Sequence, residues 1–456
     1  MSRSVSRLFT RQTAAIPRRG VHLDLKGNPP TPRRLLELLD LFAALRLDTV
    51  LVEWEDTFPW TCAPEMRSPT AYTPAMVTAF HARATALGLE IIPLVQCFGH
   101  AENVLSRKRF RHLRERPADV SEFCASQPGS ARIVQAMVDD VLRLSGGNVR
   151  RFHLGGDEAR HMGTCPRCRR AVRRLGRDGL YLAHVGPVLD LLARRTIRPI
   201  LWDDMMRRWP RAGLMAMARR ADLMAWSYGD EPVTRGKGFL TEEHLKSFAR
   251  AGVTTWAASA YKGGDGAWID RPDTTARLRN NLGWIPQARA RRLAGMVMTA
   301  WSRYDTFMSP CETIEASLDM LVCGAAAMWD GTLPREPQAA ADRWLGRWRG
   351  GRELRRFRAC SGAARALGDW SRSAVDWALT EAERAAHRNG EPRRNNPAQN
   401  AQFLGRIRQD LVRGPRLGAA FVRAHRGAIP RRWLDLYVQS RTHPFRRRAR
   451  AILARS

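Results

Sequence analysis

Short apolar runs alternate with longer amphipathic stretches from about residue 20 to residue 330. In the amphipathic stretches apolar side chains recur every three or four positions, as in 32–45, which predicts helices with one buried face. Eight apolar runs have the length expected of buried strands. They span residues 21–25, 49–53, 90–95, 151–155, 199–202, 223–226, 255–258 and 296–301.

This alternation predicts a parallel sheet, because parallel neighbours need a crossover of a dozen or more residues, which is usually a helix. Eight strand–helix units closing on themselves form a (β/α)8 barrel, the TIM-barrel fold, over residues 20–330. In this fold the active site lies where the carboxyl ends of the strands meet. Catalytic and binding residues are therefore expected at those ends.

The two ends of the chain have a different composition. Strand patterns stop after Pro334, and residues 335–456 predict an arginine-rich, all-helical C-terminal region with an exposed loop from Gly390 to Pro397. Residues 1–19 are rich in arginine, serine and threonine and contain no acidic residue. They predict a disordered basic tail.

The net charge of +32 is concentrated toward the C-terminus, where residues 331–456 contain 28 arginines against 10 acidic residues. Such charge attracts nucleic acid, anionic membranes and acidic polysaccharides. Because no nucleic-acid-binding fold signature is present, we predict no specific nucleic-acid partner but an anionic polymer contact through the C-terminal region. No apolar run reaches the ~18 residues of a membrane span. Without a secretory signal, and with unpaired thiols, a cytoplasmic location is expected.

Two of the eight cysteines, Cys165 and Cys168, stand in a Cys-Pro-Arg-Cys sequence with the spacing of a zinc knuckle. There is no second pair of this kind, so Cys124, Cys311 or a histidine would have to complete a site. Two ordinary thiols at the start of a helix are the simpler interpretation. We predict no metal or organic cofactor, and the sequence leaves open whether this pair binds a metal.

Most predicted strands are followed by polar or aromatic residues, which makes these ends candidates for chemistry. The residues are Asp24, Glu55, Asp56, His100, Asp157, Glu158, Trp202, Asp203, Trp226, Tyr228, Trp256, Trp301 and Arg303. The most informative are Asp157 and Glu158, two adjacent carboxylates directly after Gly155 and Gly156, since paired carboxylates are typical of acid catalysis. A glycine turn whose acids start the next helix is the competing structural interpretation.

Seven segments in barrel order resemble glycoside hydrolase family 20, the β-N-acetylhexosaminidases, and most closely the hexosaminidase D branch. The fingerprint His-x-Gly-Gly-Asp-Glu is complete. The segments are 21–27, 53–59, 92–100, 153–158, 201–205, 256–263 and 301–305.

The resemblance implies an exo-β-N-acetylhexosaminidase that removes terminal β-linked N-acetylgalactosamine or N-acetylglucosamine with retention. In this family the substrate's own acetamido oxygen attacks the anomeric carbon and forms an oxazolinium intermediate. Glu158 would be the general acid and base, and Asp157 would orient the acetamido group. The adjacent charge and the enclosing tryptophans predict a raised pKa for Glu158.

The resemblance also implies roles for three nearby residues. It places His100 against Glu158 and gives that histidine Asp56 as its carboxylate partner, while a buried histidine satisfied by the backbone is the alternative. His153 lies within its strand and is expected to pack behind the carboxylate pair.

An acetamido methyl group and a sugar ring need a tight apolar pocket. Trp202, Trp226 and Trp301 are candidates for its walls, and Tyr228 for the hydroxyl that donates to the acetamido oxygen. Core packing is the alternative for any one of these tryptophans.

Sugar hydroxyls need polar partners, for which Asp24, beside Lys26, is a candidate, with a solvated turn as the alternative. Arg303 occupies a position where the wider family often has an acid, which leaves the preference between galacto and gluco sugars open. A non-catalytic carbohydrate-binding protein on the same barrel is the alternative function. The natural glycan and the oligomeric state are also left open by the sequence.

Overall fold

The computed structural model describes residues 7–386 and 397–454, with side chains described outside 375–403. Eight parallel strands form one closed barrel in sequence order, so the predicted TIM-barrel fold is confirmed. The strands are β1 (Arg19–Asp24), β2 (Thr49–Glu53), β3 (Glu90–Leu94), β4 (Arg151–His153), β5 (Arg198–Trp202), β6 (Asp222–Trp226), β7 (Thr255–Lys262) and β8 (Met296–Ala300).

Helices follow the strands as the amphipathic pattern predicted, and further helices follow the barrel. They are α1 (Pro32–Ala44), α2 (Pro74–Ala86), α3 (Glu102–Leu105), α4 (Pro128–Leu144), α5 (Pro166–Arg194), α6 (Arg211–Ala218), α7 (Glu242–Arg250), α8 (Thr274–Ala290), α9 (Leu318–Asp330), α10 (Pro337–Arg347), α11 (Arg352–Ala386), α12 (Pro397–Ala424) and α13 (Arg431–Leu453). None of the helices in the described part of the chain is long and apolar enough to cross a membrane.

The interior of the barrel is filled by side chains that point inward from the strands. They include Leu51, Ile92, Leu94, Ile200, Trp202, Met224, Trp256, Ala258 and Val297. The expectation that Trp256 lies at the carboxyl end of its strand was wrong. Because β7 continues to Lys262, Trp256 lies near the start of the strand, and its Nε1 donates to Asp222 at 3.1 Å. The packed interior holds the carboxyl ends of the strands in fixed positions.

The N-terminal segment differs from the disordered tail predicted for residues 1–19. The Asp330 carboxylate at the end of α9 accepts hydrogen bonds from the backbone N–H groups of Phe9, Thr10 and Arg11 at 2.7 to 3.0 Å. Ile16 is fully buried against the barrel. These contacts order residues 7–18, and β1 begins at Arg19; residues 1–6 lie outside the described part.

The C-terminal region is helical, as predicted, and it packs onto the barrel. Residues of α10 and the start of α11, such as Leu345 and Phe357, belong to the main core, while α11, α12 and α13 enclose a second core. Arg34 of α1 is 1% exposed and binds Glu315 and Glu353 through hydrogen bonds of 2.7 to 3.1 Å. The loop predicted over 390–397 lies outside the described residues apart from Pro397, which begins α12.

Candidate active site

The turn after β4 has a backbone that only glycine accommodates. Gly155 and Gly156 have φ angles of 60° and 82°. A Cβ on Gly155 would lie 1.8 Å from Oε1 of Gln96, and one on Gly156 would lie 2.2 Å from the hydroxyl of Tyr181. Glycine is the residue that tolerates both the positive φ and the close approach. The turn therefore presents the next two side chains at the carboxyl end of the barrel.

Those side chains, Asp157 and Glu158, meet His100 from the end of β3. Nε2 of His100 lies 3.4 Å from Oδ2 of Asp157 and 3.4 Å from Oε2 of Glu158. His100 and Glu158 both have positive φ angles, 53° and 47°, which non-glycine residues rarely adopt and which are typical of functional sites. Asp157 is 5% exposed, and its Oδ1 has no hydrogen-bond partner in the described structure.

The expectation of a raised pKa for Glu158 was wrong, because neighbouring positive charges lower it. The hydrogen bond from His100, and with it a 2.9 Å bond from Nη2 of Arg160, lowers the pKa of Glu158 to about 2. Burial of His100 opposes its protonation, but the charge of Asp157 and the bonds to both carboxylates raise its pKa well above the usual value. These opposite pKa shifts favour a protonated His100 beside an ionised Glu158.

The expected link between Asp56 and His100 is not formed, since no ion pair or hydrogen bond joins them in the described structure. Burial raises the pKa of Asp56 to about 6, and the positive charge of Arg303 opposes this shift. The ring of His100 lies against the carboxylates of Asp157 and Glu158 instead.

A cavity of about 580 Å³ opens beside the trio, and the predicted aromatic residues line it. Trp202, Trp226 and Trp301 end or follow β5, β6 and β8. The ring centroids of Trp202 and Trp301 are 5.9 Å apart. Nε1 of Trp301 donates to the hydroxyl of Tyr228 at 2.8 Å. These four predicted residues are thus brought to one site.

Asp204, which was not among the predicted site residues, supports two of them. Its Oδ2 accepts from the backbone N–H of Glu158 at 3.0 Å, and its Oδ1 accepts from Nε1 of Trp226 at 3.3 Å. Burial, reinforced by the charge of Asp157, raises its pKa to about 7. Its place directly after Trp202 and Asp203 in a matching segment was the available signal.

Asp24 is turned away from the cavity. Its Oδ2 accepts from the backbone N–H of Ser302 at 2.7 Å and lies 3.1 Å from Nζ of Lys26. Lys26 instead lines the cavity, with its ammonium 2.9 Å from Oε2 of Glu53. Asp24 therefore positions Lys26 and the β8 turn rather than facing the cavity.

Two other predicted residues also lie behind the cavity wall. Arg303 is 8% exposed; it donates to the backbone oxygen of Thr306 at 2.7 Å and lies over the ring of Trp433. His153 is fully buried, packs on Trp202 at a centroid distance of 4.4 Å and accepts from the N–H of Gly155 at 3.0 Å. Burial lowers the pKa of His153 to about 3, so this ring is neutral. Its packing role agrees with the sequence-based expectation.

The rest of the cavity wall comes from loops that the sequence did not single out. These segments follow strand ends, and they lack the periodic apolar pattern that identifies strands and helices in the sequence. They contribute Gln96, Glu102, Ser121, Glu122, Arg160, His161, Gly263, Tyr304, Asp305 and Met308. Four of them had a signal, since they lie in segments that carried the resemblance: Gln96, Gly263, Tyr304 and Asp305.

A closed parallel barrel that gathers two carboxylates and a tryptophan-walled cavity at its carboxyl end has the architecture of a glycoside hydrolase. Comparison with known proteins agrees. Residues 17–238 match the family model "Glycosyl hydrolase family 20, catalytic domain".

Relatives in sequence extend the match. The chain is 34% identical to "Hexosaminidase D" of Bos taurus over 337 residues, which cover 72% of this chain and 96% of that protein. It is also 34% identical to "Hexosaminidase D" of Homo sapiens, over 72% of this chain and 68% of the relative. A β-N-acetylhexosaminidase structure from Bacteroides fragilis shares the fold, with a TM-score of 0.56 and 17% identity over 74% of this chain and 71% of that one.

The chain belongs to glycosyl hydrolase family 20, in the hexosaminidase D branch. It is therefore a glycoside hydrolase whose family supports β-N-acetylhexosaminidase activity on a glycan. This membership favours catalysis over the alternative of a barrel that only binds carbohydrate.

Proposed function

We propose that this protein removes terminal β-linked N-acetylgalactosamine or N-acetylglucosamine from glycans, with retention of configuration and through an oxazolinium intermediate. The reaction uses the substrate's acetamido oxygen as nucleophile, so the enzyme has to orient that group and protonate the leaving oxygen. The residues in the cavity supply groups suited to both tasks.

The observation that carries the proposal is the unpaired Oδ1 of Asp157. A buried carboxylate oxygen without a partner costs free energy unless a ligand donates to it. An acetamido N–H is such a donor, and an ionised carboxylate there also stabilises the positive charge that develops on the nitrogen. Asp157 lines the cavity directly beside Glu158, which is the pairing the reaction requires.

Glu158 has to be protonated when the leaving oxygen departs. Nε2 of His100, whose pKa is raised, lies 3.4 Å from Oε2 of Glu158, and Arg160, whose side chain is 73% exposed, stabilises the ionised form. Substrate that displaces the Arg160 side chain and excludes water would raise the pKa of Glu158, because the carboxylate would lose a cation and its hydration. The proton on His100 is then close enough to be transferred.

The remaining groups hold the acetamido arm for attack. The hydroxyl oxygen of Tyr228 accepts from Trp301, so its own proton can be donated to the acetamido oxygen. Trp202 and Trp301 form apolar surfaces on which the methyl group and sugar ring can pack. Holding the nucleophile in line in this way lowers the barrier by several kcal/mol, up to ~7 to 11 in ideal intramolecular cases.

The first experiment compares release of p-nitrophenol from the β-N-acetylgalactosaminide, the β-N-acetylglucosaminide and the β-galactoside. Cleavage of the two acetamido sugars alone is the expected result, and the ratio of their kcat/KM values ranks the sugars. Cleavage of the β-galactoside at a comparable rate contradicts the use of the acetamido oxygen. The anomer formed first, observed by proton NMR, tests retention.

The second experiment separates the two carboxylates. For Glu158→Gln we expect kcat to fall by roughly 10²- to 10⁴-fold on p-nitrophenyl substrates and by much less when the leaving group is dinitrophenol, which departs without protonation. Asp157→Asn should lose activity on both substrates equally. Glu243→Gln, an exposed acid on α7, is the control and should keep full activity. Undiminished turnover by Glu158→Gln would overturn the assignment.

A further inference from the structure

Four potential metal ligands converge on one side of the barrel, away from the trio of Asp157, Glu158 and His100. Glu115 and Cys124 belong to the segment between β3 and α4, while Cys165 caps α5 and Cys168 lies in its first turn. One ligand atom from each lies within 4.8 Å of all the others. Cys124 is one of the partners that the sequence left open for the Cys-Pro-Arg-Cys pair, whereas Glu115 was not among them.

The sulfur atoms have the spacing of a metal tetrahedron. Sγ of Cys124 lies 3.6 Å from Sγ of Cys165 and 3.6 Å from Sγ of Cys168. Zinc–sulfur bonds of ~2.3 Å in a tetrahedron place sulfur atoms ~3.8 Å apart. A zinc ion would therefore fit among these three thiols after small adjustments.

Glu115 gives independent evidence for a cation. It is 2% exposed, and its Oε1 accepts from the backbone N–H of Cys165 at 2.8 Å. Its Oε2 is buried and has no hydrogen-bond partner in the described structure. A buried, half-satisfied carboxylate beside three sulfur atoms is costly by itself and well suited to a metal ion.

The surroundings suit thiolate ligands. The N–H of Cys168 donates to Sγ of Cys165 at 3.3 Å, at the N-terminus of α5, where partial positive charge favours a thiolate. The hydroxyl of Ser126 lies 3.2 Å from Sγ of Cys168, so it could donate to that sulfur once the thiol proton is lost. Such contacts orient ligands and tune a metal site.

We propose that Glu115, Cys124, Cys165 and Cys168 bind a zinc ion with a structural role. Binding displaces the thiol protons to solvent, and the four protein ligands leave no open position for water or substrate. The site would join the segment that carries Ser121 and Glu122 to the one that carries Arg160 and His161. All four of these residues line the cavity.

A hydrogen-bonded bridge already connects the two segments near the cavity. The backbone N–H of His161 lies 2.9 Å from both carboxylate oxygens of Glu122. Zinc would hold the same segments together a few residues further along. The proposal does not depend on which glycan is cleaved, because it concerns a wall of the cavity and not the chemistry.

The test measures metal content and spectra in the full-length protein. We expect one zinc per chain after purification without chelators and dialysis against Zn²⁺, in the wild type and in Cys62→Ser, which alters a thiol elsewhere. Cys168→Ser should lose the zinc, and Glu115→Gln should bind it at least tenfold more weakly. Replacement by Co²⁺ should give thiolate charge-transfer absorption in the wild type that Cys168→Ser lacks.

A wild-type measurement covers the case in which Cys168→Ser does not fold. Three thiols should be protected from Ellman's reagent until a chelator is added, with zinc released in the same step. Wild-type protein that binds no zinc, or equal zinc in folded Cys168→Ser, would overturn the proposal. A disulfide between any two of these cysteines, found by mass spectrometry of protein purified without a reducing agent, would also overturn it.

Discussion

Nη2 of Arg160 lies 2.9 Å from Oε1 of Glu158, so a cation is paired with the carboxylate that the proposed mechanism needs in protonated form. The arginine side chain is 73% exposed, whereas that of Glu158 is 32% exposed. Arginine at this position can therefore be displaced by a ligand at little cost in packing. Its effect on the acid can be measured directly.

Arg160→Ala should move the basic limb of the kcat/KM profile to higher pH. Removing a cation next to Glu158 raises the pKa of that carboxyl, so the acid keeps its proton to a higher pH than in the wild type. The measurement is kcat/KM against pH on an aryl N-acetylhexosaminide. Arg173→Ala, an exposed arginine on α5, should leave the profile unchanged. An unshifted limb in Arg160→Ala would show that the pair does not control the acid.

His100→Gln should destabilise the protein more at about pH 6 than at about pH 9. The pKa of His100 is raised in the folded state, since Asp157 and Glu158 outweigh the cost of burial. A raised folded pKa adds stability that is complete below the unfolded value and is lost as the pH rises through the folded value. Thermal unfolding of both proteins across this range tests the sign. A difference that grows with pH would contradict a protonated histidine between the two carboxylates.

Arg34→Met should lower the free energy of unfolding by about 3–5 kcal/mol, because it leaves the buried carboxylates of Glu315 and Glu353 without their cation. Arg33→Met, at the neighbouring position, is the matched control. The Arg33 side chain is 82% exposed, so the free energy of unfolding should change by no more than about 0.5 kcal/mol. Denaturant unfolding compares the two variants. Equal effects would mean that the buried cluster does not attach the C-terminal helices to the barrel.

The predicted contact with an anionic polymer can now be tested without deleting the C-terminal region. Truncation near residue 335 would expose the core that α10 and α11 share with the barrel. A patch on α13 offers surface arginines instead, and neutralising them should lower the salt concentration needed to elute the protein from heparin. The substitutions are Arg446→Gln, Arg447→Gln and Arg450→Gln.

The control for this patch neutralises exposed arginines on the barrel, which tests whether elution follows position or total charge. The changes are Arg132→Gln, Arg173→Gln and Arg174→Gln. Equal elution of the two triple variants would mean that net charge alone governs retention and that α13 has no special role.

The regular part of this fold was readable in the sequence. All eight strands were predicted, because a buried strand in a parallel barrel needs a short continuous apolar run and each helix needs one apolar face. The carboxylate pair was also readable, since Gly155, Gly156, Asp157 and Glu158 are consecutive and occupy a single turn. Local patterns determine these features.

Contacts between distant segments were readable only in part: the resemblance placed His100 against Glu158, and the two meet at 3.4 Å. Asp24 and Arg303 follow strands as site residues do, yet one is held by Lys26 and the other by Thr306. The resemblance likewise implied Asp56 as a partner of His100, whereas the structure pairs this histidine with Asp157 and Glu158. A strand end fixes which edge of the barrel a residue occupies, but not the direction of its side chain.

By itself, then, the sequence determined the barrel, the glycine turn and the family, because each depends on residues close together in the chain. Tertiary structure alone decided the lowered pKa of Glu158 and the place of Glu115 beside Cys124, Cys165 and Cys168. Both depend on charges and atoms brought within a few ångströms by loops of irregular sequence. Electrostatic energies change steeply over such distances, and a linear pattern does not specify them.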